Sequence, residues 1–572
     1  TMASLGLNTF RLFIAWDRIE RRHGVKDFSA VDHAFDLAAK YGLHVVANVG
    51  GTFANLQAIY PPRWLYTECG CQILQPSIDA PIKAPGPRLK LCYDDPVYQR
   101  EATAFIREAV QRYRSHPNLL AWAGWNEPRV SFCFCPHTLA LYRNWLQEKY
   151  TDLEQLSRAW STEFPLYFNS WDEVLPQIDT GFEFGGYLPW LDWNAFCDQN
   201  RTDKFNLIYD TIKAEDETHP VVSHLCGPYD ADIFGREDVL GTSIYTYFCE
   251  GNKRYEISDQ ELLRILHWFS ALMRTGYRQE RPGDKYFWVM ETEAGPVSWV
   301  HGLMPRTYSG RKMNARDMLF IGNGARCVLR WLYRSRVTDA QAGEFNLVGW
   351  DGTVTERAAE YGSLGKFLNE HIDLFTTNTP HASSIAVLAD DRKRVTLLQA
   401  EEIQHKYDGS ENMLFTCLAH AGYQADPVCA RQVLNGELSQ YKVLFVPIRP
   451  YVDADLANQL ELFVRNGGLL VVESPFATKN MNAIHWEKTP GAGLDKVFGA
   501  QVYDMEKLLE PDCGGVVALD FKAIVRPQDC SIEATFADGK PSIISHAYGK
   551  GKAVMFASIV SRPYTWGNGE NL

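Results

Sequence analysis

The feature that most constrains the fold is a regular alternation of short apolar runs with longer amphipathic segments over residues 1 to about 375. This alternation is typical of βα units arranged around a parallel sheet. In the helical segments 30–41 and 97–113, apolar residues recur at spacings of three and four. Seven strands are predicted, at residues 9–16, 44–51, 119–126, 220–225, 241–247, 286–291 and 327–334.

A closed barrel of βα units has eight parallel strands. We therefore expect an α/β fold with a catalytic (β/α)8 TIM barrel over residues 1–378. Residues 1–6 have the pattern of a helix end, so the first strand is expected to precede residue 1 and the natural protein to be longer.

A polar stretch at residues 376–384 predicts a domain boundary. Beyond it, buried-type strands at 384–389, 442–447 and 468–473 alternate with helical stretches and predict a flavodoxin-like α/β domain over residues 379–512. Alternating runs at 531–536 and 553–557 predict a small β domain over residues 513–572.

Composition excludes several classes of partner. The formal charge of -13, without a long Lys/Arg run, argues against nucleic acid, whose binding depends on phosphate neutralisation. No apolar run approaches the roughly 20 residues of a membrane span, and the first residues lack a signal-peptide pattern. The sequence does not determine the compartment, and a cytoplasmic location is favoured for a bacterial-type protein of this kind. Thirteen cysteines indicate free thiols or a metal site rather than a disulfide framework.

The clearest chemical signal is Asn126-Glu127-Pro128 at the end of the third predicted strand. Barrel active sites lie at the C-terminal ends of strands, and glycosidic cleavage needs a carboxylic acid that protonates the leaving oxygen. Glu127 is thus the candidate general acid/base, and Asn126 is a candidate ligand of the sugar 2-hydroxyl. The alternative is a strand-ending turn capped by Asn126.

A second carboxylate follows the apolar run 287–290, where Glu291 and Glu293 compete for the role of nucleophile. A charge at this place must face the cavity or be paired, because burying it alone is costly. Both residues have the same strand parity, so periodicity does not separate them. Glu291 is preferred because it is nearer the apolar strand, whereas Glu293 is expected in the following loop.

These segments resemble glycoside hydrolase family 42, the beta-galactosidases with a trimerisation domain, over nearly the whole chain. Residues 5–20 resemble the second strand of the family, residues 61–65 its Pro-Pro-x-Trp-Leu segment, and residues 287–299 its nucleophile strand. The resemblance implies that Glu291 is the nucleophile, that the region after residue 384 is a trimerisation domain, and that the protein is a homotrimer.

The resemblance also implies roles for further residues. Arg11 and Tyr245 would bond the nucleophile, Asn126 would hold the 2-hydroxyl, Trp299 would form a sugar platform, and Glu344 would bind sugar hydroxyls. The alternative for Arg11 and Tyr245 is a structural ion pair and a core aromatic. The implied activity is that of a retaining exo-beta-glycosidase, a beta-galactosidase that hydrolyses terminal beta-linked sugars of an oligosaccharide or other beta-glycoside by double displacement.

Three departures from the family pattern keep other functions open. Leu347 stands where the family has a His, residues 13–16 lack a family Glu, and Pro128 after Asn-Glu is commoner in other families of the clan. A site that loses a polar partner loses discrimination between sugars. The alternatives are therefore a beta-mannosidase or beta-glucosidase of the same clan, and a catalytically inactive sugar-binding protein.

The cysteines suggest a metal site through the same resemblance, because many family members bind a structural zinc with Cys at these places. Thr138 occupies the last ligand position, and His137 is the candidate substitute; positions 69 and 71 hold further thiols. The alternative is reduced, unligated thiols. No cofactor is expected for catalysis, since two carboxylates suffice. The candidate zinc ligands are Cys92, Cys133, Cys135 and His137.

Overall fold

The structure is a computed structural model. It describes residues 1–49, 61–79, 89–128, 133–161, 166–178, 186–227, 236–246, 259–276, 286–297, 307–338, 341–378, 380–400, 410–518 and 520–561. Trp299, the predicted sugar platform, lies outside the described residues.

The first part of the chain forms a parallel TIM-type barrel, and the seven predicted strands are confirmed. Adjacent strands pair in parallel from β1 to β4 and from β5 to β7, and single bridges join the fourth to the fifth. The strands are β1 (Thr9–Phe13), β2 (His44–Asn48), β3 (Leu119–Ala123), β4 (Val221–Val222), β5 (Gly241–Ser243), β6 (Phe287–Glu291) and β7 (Ala325–Val328).

Most of the strands end several residues earlier than the sequence predicts. Beyond Ala123, for example, the predicted third strand leaves its ladder, so that residues 124–128 form a connection above the barrel. This connection carries Asn126 and Glu127, two of the predicted site residues, and also the buried Trp125, whose ring contacts Tyr93. At this strand the predicted range therefore extended into the segment that carries site residues.

Helices surround the barrel between its strands. They are Trp16–Ile19, Ser29–Tyr41, Trp64–Thr67, Pro96–Tyr113, Pro136–Tyr150, Leu153–Trp160, Leu188–Lys213, Asp259–Thr275, Gly310–Gly322, Glu356–Glu370 and Ile372–Thr377, with 3-10 turns at Ala3–Leu5 and Trp171–Glu173. None of the helices that the structure describes is both long and apolar enough to cross a lipid bilayer.

The helix Pro96–Tyr113 shows how the sequence determines these elements. The Asp95 side chain accepts hydrogen bonds from the backbone N–H groups of Val97 and Tyr98, and Pro96 occupies the first turn, where its missing N–H is harmless. The apolar face that follows, including Phe105, is buried against the barrel. Capping and periodicity therefore act together at this helix.

The barrel interior combines small side chains on one strand with large side chains on another. Small residues at Ala121 and Ala123 of β3 share a buried cluster with Trp288 and Met290 of β6. Close packing also fixes Gly241 at the start of β5, where a Cβ atom would lie 2.3 Å from the carbonyl oxygen of Ser223. This close approach brings the ends of β4 and β5 together.

Strands β1 and β7 form the two edges of the described barrel wall. Among the described residues no ladder joins them. Two cavities, of about 160 and 350 Å³, are lined by residues of both strands. The smaller cavity reaches Arg11 and Glu291.

The second part of the chain forms a doubly wound α/β domain, as predicted. Strands β9, β8, β10, β12 and β20 are parallel neighbours in that order. The strands are β8 (Ile385–Leu388), β9 (Asp426–Val428), β10 (Val443–Val446), β11 (Arg449–Tyr451), β12 (Leu469–Glu473), β13 (Phe476–Lys479), β14 (Ala500–Lys507), β15 (Asp512–Cys513), β16 (Val517–Ala518), β17 (Phe521–Pro527), β18 (Ser531–Thr535), β19 (Pro541–Tyr548) and β20 (Gly551–Phe556). Its helices are Arg392–Ala400, Ser410–His420, Ala430–Leu434, Ala454–Arg465 and Leu494–Phe498, with a 3-10 turn at Glu437–Gln440.

The predicted small β domain is continuous with this sheet. β20 pairs in parallel with β12, and β19 and β18 extend the same sheet in antiparallel fashion. The predicted boundary near residue 513 thus does not separate two sheets. Alternation in the sequence identifies a strand but not its partner, which is why this pairing was not predicted.

Candidate active site

The C-terminal ends of the barrel strands bring five polar side chains together. Arg11 lies within β1, Glu127 follows β3, and His224 follows β4. Ser243 and Glu291 are the last residues of β5 and β6, where they are paired neighbours in the ladder. Residues from five strands therefore meet at one end of the barrel, as expected for a barrel active site.

Two donors hold the carboxylate of Glu291. The guanidinium of Arg11 donates to Oε1, and the hydroxyl of Tyr245 donates to Oε2 over 2.7 Å. The side chains of Arg11 and Glu291 are only 6% and 11% exposed. Burial, followed by the charge of Glu291, raises the pKa of Tyr245 well above its usual value, so the phenol keeps its proton and remains a donor.

Glu293 lies in a different environment. Its Oε1 accepts from the guanidinium of Arg316 over 3.2 Å, and its Oε2 accepts from the backbone N–H of Thr246 over 3.1 Å. The side chains of Glu293 and Arg316 are 3% and 4% exposed. Glu293 is therefore half of a buried ion pair, whereas Glu291 faces Glu127.

Glu127 is held through both its backbone and its side chain. Its N–H donates to the carbonyl oxygen of His224 over 2.8 Å, and its Oε1 accepts from the hydroxyl of Ser243. Its φ of 45° lies in the left-handed region, which is unfavourable for a residue with a side chain and is often found at functional sites. Carboxylate oxygens of Glu127 and Glu291 and a ring nitrogen of His224 all lie within 4.8 Å of one another.

His224 and Ser243 were not singled out from the sequence. His224 is fully buried, with Nδ1 2.6 Å from Arg11 Nη1 and Nε2 2.8 Å from Ser243 Oγ. Burial, and then the charge of Arg11, lower the pKa of His224 well below its usual value. For His224 the available signal was a polar side chain just beyond a short apolar strand, the same signal that identified Glu127, whereas Ser243 is the last residue of its own strand.

Two of the other predicted sugar ligands, Asn126 and Glu344, are adjacent in sequence to residues of this site. Asn126 is buried, and its Oδ1 has no hydrogen-bond partner among the described residues. Glu344 is half-buried and precedes Phe345, whose ring packs edge-on against Tyr245 with centroids 6.0 Å apart. Leu347, at the position of the family His, is buried in an apolar cluster.

Three of the four predicted zinc ligands come together. The sulfur atoms of Cys92, Cys133 and Cys135 lie within 4.8 Å of one another, and all three residues are buried. The Thr138 hydroxyl lies 3.4 Å from the sulfur of Cys92 but donates to Asp94 over 2.6 Å. Hydrogen bonds from neighbouring thiols lower the pKa of Cys135.

The prediction of His137 as the fourth ligand is wrong. Its side chain is 44% exposed, its Nε2 is 4.0 Å from Asp95, and the described sulfur cluster does not include it. His137 lies in the first turn of the helix Pro136–Tyr150, which begins directly after Cys135. Proximity in sequence gave no information on side-chain direction at the helix start.

Comparisons with known proteins agree with this architecture. The model of glycoside hydrolase family 42, described as beta-galactosidase, matches residues 1–370, and that of the beta-galactosidase trimerisation domain matches residues 383–566. The beta-galactosidase LacZ of Heyndrickxia coagulans is 24% identical over 587 residues, covering 98% of this chain and 83% of that protein. The beta-galactosidase GanA of Bacillus subtilis is 23% identical over 576 residues, covering 96% and 81%.

Solved structures share the fold. A catalytic mutant of a family 42 beta-galactosidase from G. stearothermophilus matches with a TM-score of 0.84 at 20% identity, covering 97% of this chain and 81% of that one. The barrel and the family match together define a glycoside hydrolase. More narrowly, this chain belongs to glycoside hydrolase family 42, as the resemblance in its sequence implied.

Proposed function

We propose that this enzyme is a retaining beta-galactosidase with Glu291 as nucleophile and Glu127 as general acid/base. The observation that carries the proposal is the approach of their carboxylate oxygens to within 4.8 Å at the barrel mouth. Retaining enzymes place the two carboxyl groups about 5–5.5 Å apart, whereas inverting enzymes leave about 6.5–9.5 Å for a water molecule.

In the first step, Glu291 attacks the anomeric carbon and the bond to the aglycone oxygen breaks. Glu127 gives its proton to that oxygen, and the sugar remains as an ester on Glu291. In the second step, Glu127, now a carboxylate, takes a proton from water. The water attacks the anomeric carbon as the ester bond to Glu291 breaks, and the two successive inversions give net retention of configuration.

The surrounding residues have assigned tasks in this mechanism. Arg11 and Tyr245 orient the attacking carboxylate through its two oxygens. The buried Oδ1 of Asn126 accepts a hydrogen bond from the sugar 2-hydroxyl, which supplies the partner that the described residues do not. Glu344 binds further hydroxyls, and Trp299 forms the platform.

The choice of galactose follows from the family and from its relatives, which are beta-galactosidases. A beta-mannosidase or beta-glucosidase remains the alternative, because Leu347 packs in the core where the family has a His. The close pair of carboxylates counts against an inactive sugar-binding protein.

A panel of p-nitrophenyl β-glycosides tests the activity and the sugar together. The galactoside should have the highest kcat/KM, and NMR of the first-formed product should show the β-anomer. A higher kcat/KM for the mannoside or glucoside would show that mannose or glucose, and not galactose, is the preferred sugar. An α-anomer as first product would overturn the retaining mechanism. Equal absence of hydrolysis in wild type and Glu291→Ala would favour the inactive alternative.

We propose that the protein assembles as a homotrimer through the domain after residue 383, which is supported by the match to the trimerisation domain. Light scattering coupled to gel filtration should give three times the chain mass.

We also propose that the three buried thiols hold a structural zinc. Their donor set suits zinc, and the metal would tie residue 92 to the segment that follows Glu127.

A further inference from the structure

His224 and Ser243 form a buried connection between the two glutamates. Arg11, which bonds Glu291, also lies 2.6 Å from Nδ1 of His224. Nε2 of the same ring lies 2.8 Å from the hydroxyl of Ser243, which in turn bonds Oε1 of Glu127. Four contacts thus join the two carboxylates through three side chains.

The chemistry of the groups fixes the direction of every hydrogen bond. A guanidinium has only donors, so Nδ1 of His224 must be the acceptor from Arg11. A neutral imidazole then carries its single proton on Nε2 and donates it to the oxygen of Ser243. The hydroxyl hydrogen of Ser243 is consequently directed to Glu127. Burial of His224 beside Arg11 keeps the ring neutral, as this direction requires.

We propose that Ser243, oriented by His224, is a positioning residue that keeps Oε1 of Glu127 as a hydrogen-bond acceptor and so assigns the transferred proton to Oε2. This inference rests on the proposed role of Glu127 as acid/base. His224 contributes a second time, because its carbonyl oxygen accepts from the N–H of Glu127 and holds the backbone in its left-handed conformation.

The arrangement suits both halves of the reaction. Oε1 accepts the same hydrogen bond whether Glu127 is an acid or a carboxylate. Proton donation to the aglycone and proton removal from water therefore use one oxygen, Oε2, without rotation of the carboxyl group. The hydroxyl of Ser243 does not need to reorient between the two steps.

Ser243→Ala tests the proposal through its dependence on the leaving group. General acid catalysis matters for lactose, whose leaving group must be protonated, and matters little for 2,4-dinitrophenyl β-galactoside. We expect kcat/KM for lactose to fall about 10- to 100-fold, because small displacements of a catalytic group have effects of this size. The dinitrophenyl substrate should lose less than about threefold.

Matched variants separate positioning from structure. Ser223→Ala removes a buried hydroxyl that, among the described residues, bonds the main chain of Gly241 alone, and it should leave the ratio of the two kcat/KM values unchanged. Ser243→Thr keeps a hydroxyl and should restore the wild-type ratio. An unchanged ratio in Ser243→Ala, or an equal loss on both substrates, would overturn the proposal.

Variants of His224 and Glu127 distinguish a failure of the positioning role from a failure of the proposed function. His224→Gln offers an N–H donor near the place of Nε2, whereas His224→Asn offers an acceptor near Nδ1 alone, so the substrate ratio should change more in the Asn variant. Glu127→Ala should show a larger leaving-group effect than any of these. If Glu127→Ala shows that effect but Ser243→Ala does not, only the positioning role fails; if Glu127→Ala hydrolyses lactose normally, the proposed function fails as well.

Discussion

Glu291 and Glu293 are two residues apart, yet their carboxylates lie in separate hydrogen-bond networks, one shared with Arg11 and Tyr245 and the other with Arg316. The parity of the strand could not distinguish them, because it predicts the same face for both. The structure separates them through partners that are far apart in sequence.

This difference predicts opposite effects for two conservative substitutions. Glu291→Gln should lower kcat by three orders of magnitude or more, about the loss seen when a nucleophile is removed. Glu293→Gln should keep kcat within about tenfold while lowering stability by about 3 kcal/mol, because Arg316 loses its buried countercharge. Steady-state kinetics and thermal denaturation check both. Loss of activity in a fully folded Glu293→Gln protein, with activity retained in Glu291→Gln, would show that Glu293 is the nucleophile and Glu291 the structural residue.

Arg11 should be sensitive even to replacement by lysine. A lysine has the charge but not the planar fork that reaches Glu291 and His224 together. We expect Arg11→Lys to reduce kcat/KM about 100-fold, as for the loss of a partner in a buried pair. Arg18→Lys, an exposed change on the next helix, is the control. Similar kinetics for both variants would show that Arg11 does not contribute to catalysis.

Zinc content can be measured directly. The purified protein should contain about one zinc ion per chain by mass spectrometry, if the three thiols bind metal as structural sites do. Cys133→Ser should lose the metal and melt at a lower temperature, whereas Cys197→Ser, at a buried cysteine outside the described cluster, should retain it. A metal-free wild type with an unaltered melting temperature in Cys133→Ser would indicate plain buried thiols.

Glu473 should make the second domain less stable as the pH rises. Burial raises its pKa from 4.5 to about 7, although Ser561 and Val560 donate hydrogen bonds to it. The folded state therefore keeps this proton to higher pH than the unfolded chain. The contribution of Glu473 to the free energy of unfolding is fully present below about pH 4.5 and is lost as the pH rises through about 7. The free energy of unfolding declines by about 3 kcal/mol over this range.

Thermal denaturation of the whole chain at pH 5 and pH 8 checks this expectation. Glu473→Gln should reduce the difference in melting temperature between the two pH values, since glutamine does not titrate. Glu510→Gln, an exposed change in the same domain, should leave the difference as it is in wild type. Identical pH dependence in all three proteins would show that Glu473 does not contribute.

Local sequence was sufficient to predict the barrel strands, and it singled out the two carboxylates that the structure brings together. Glu127 and Glu291 each follow an apolar run, and this pattern can be recognised in the sequence without knowing which strands are neighbours in the barrel. His224 and Ser243 were missed because their importance comes from the contact between β4 and β5, which brings residues 19 positions apart together. His137 failed for the converse reason, since a favourable position in the sequence does not determine where a side chain points.

The left-handed φ of 45° at Glu127 also bears on the choice of residues at this position. A residue with a side chain is strained in this region, whereas glycine adopts it freely. Glu127→Gly should therefore melt at a higher temperature than Glu127→Ala, although both variants lack the catalytic acid. At this position the requirement for a carboxyl group opposes the requirement for an unstrained backbone.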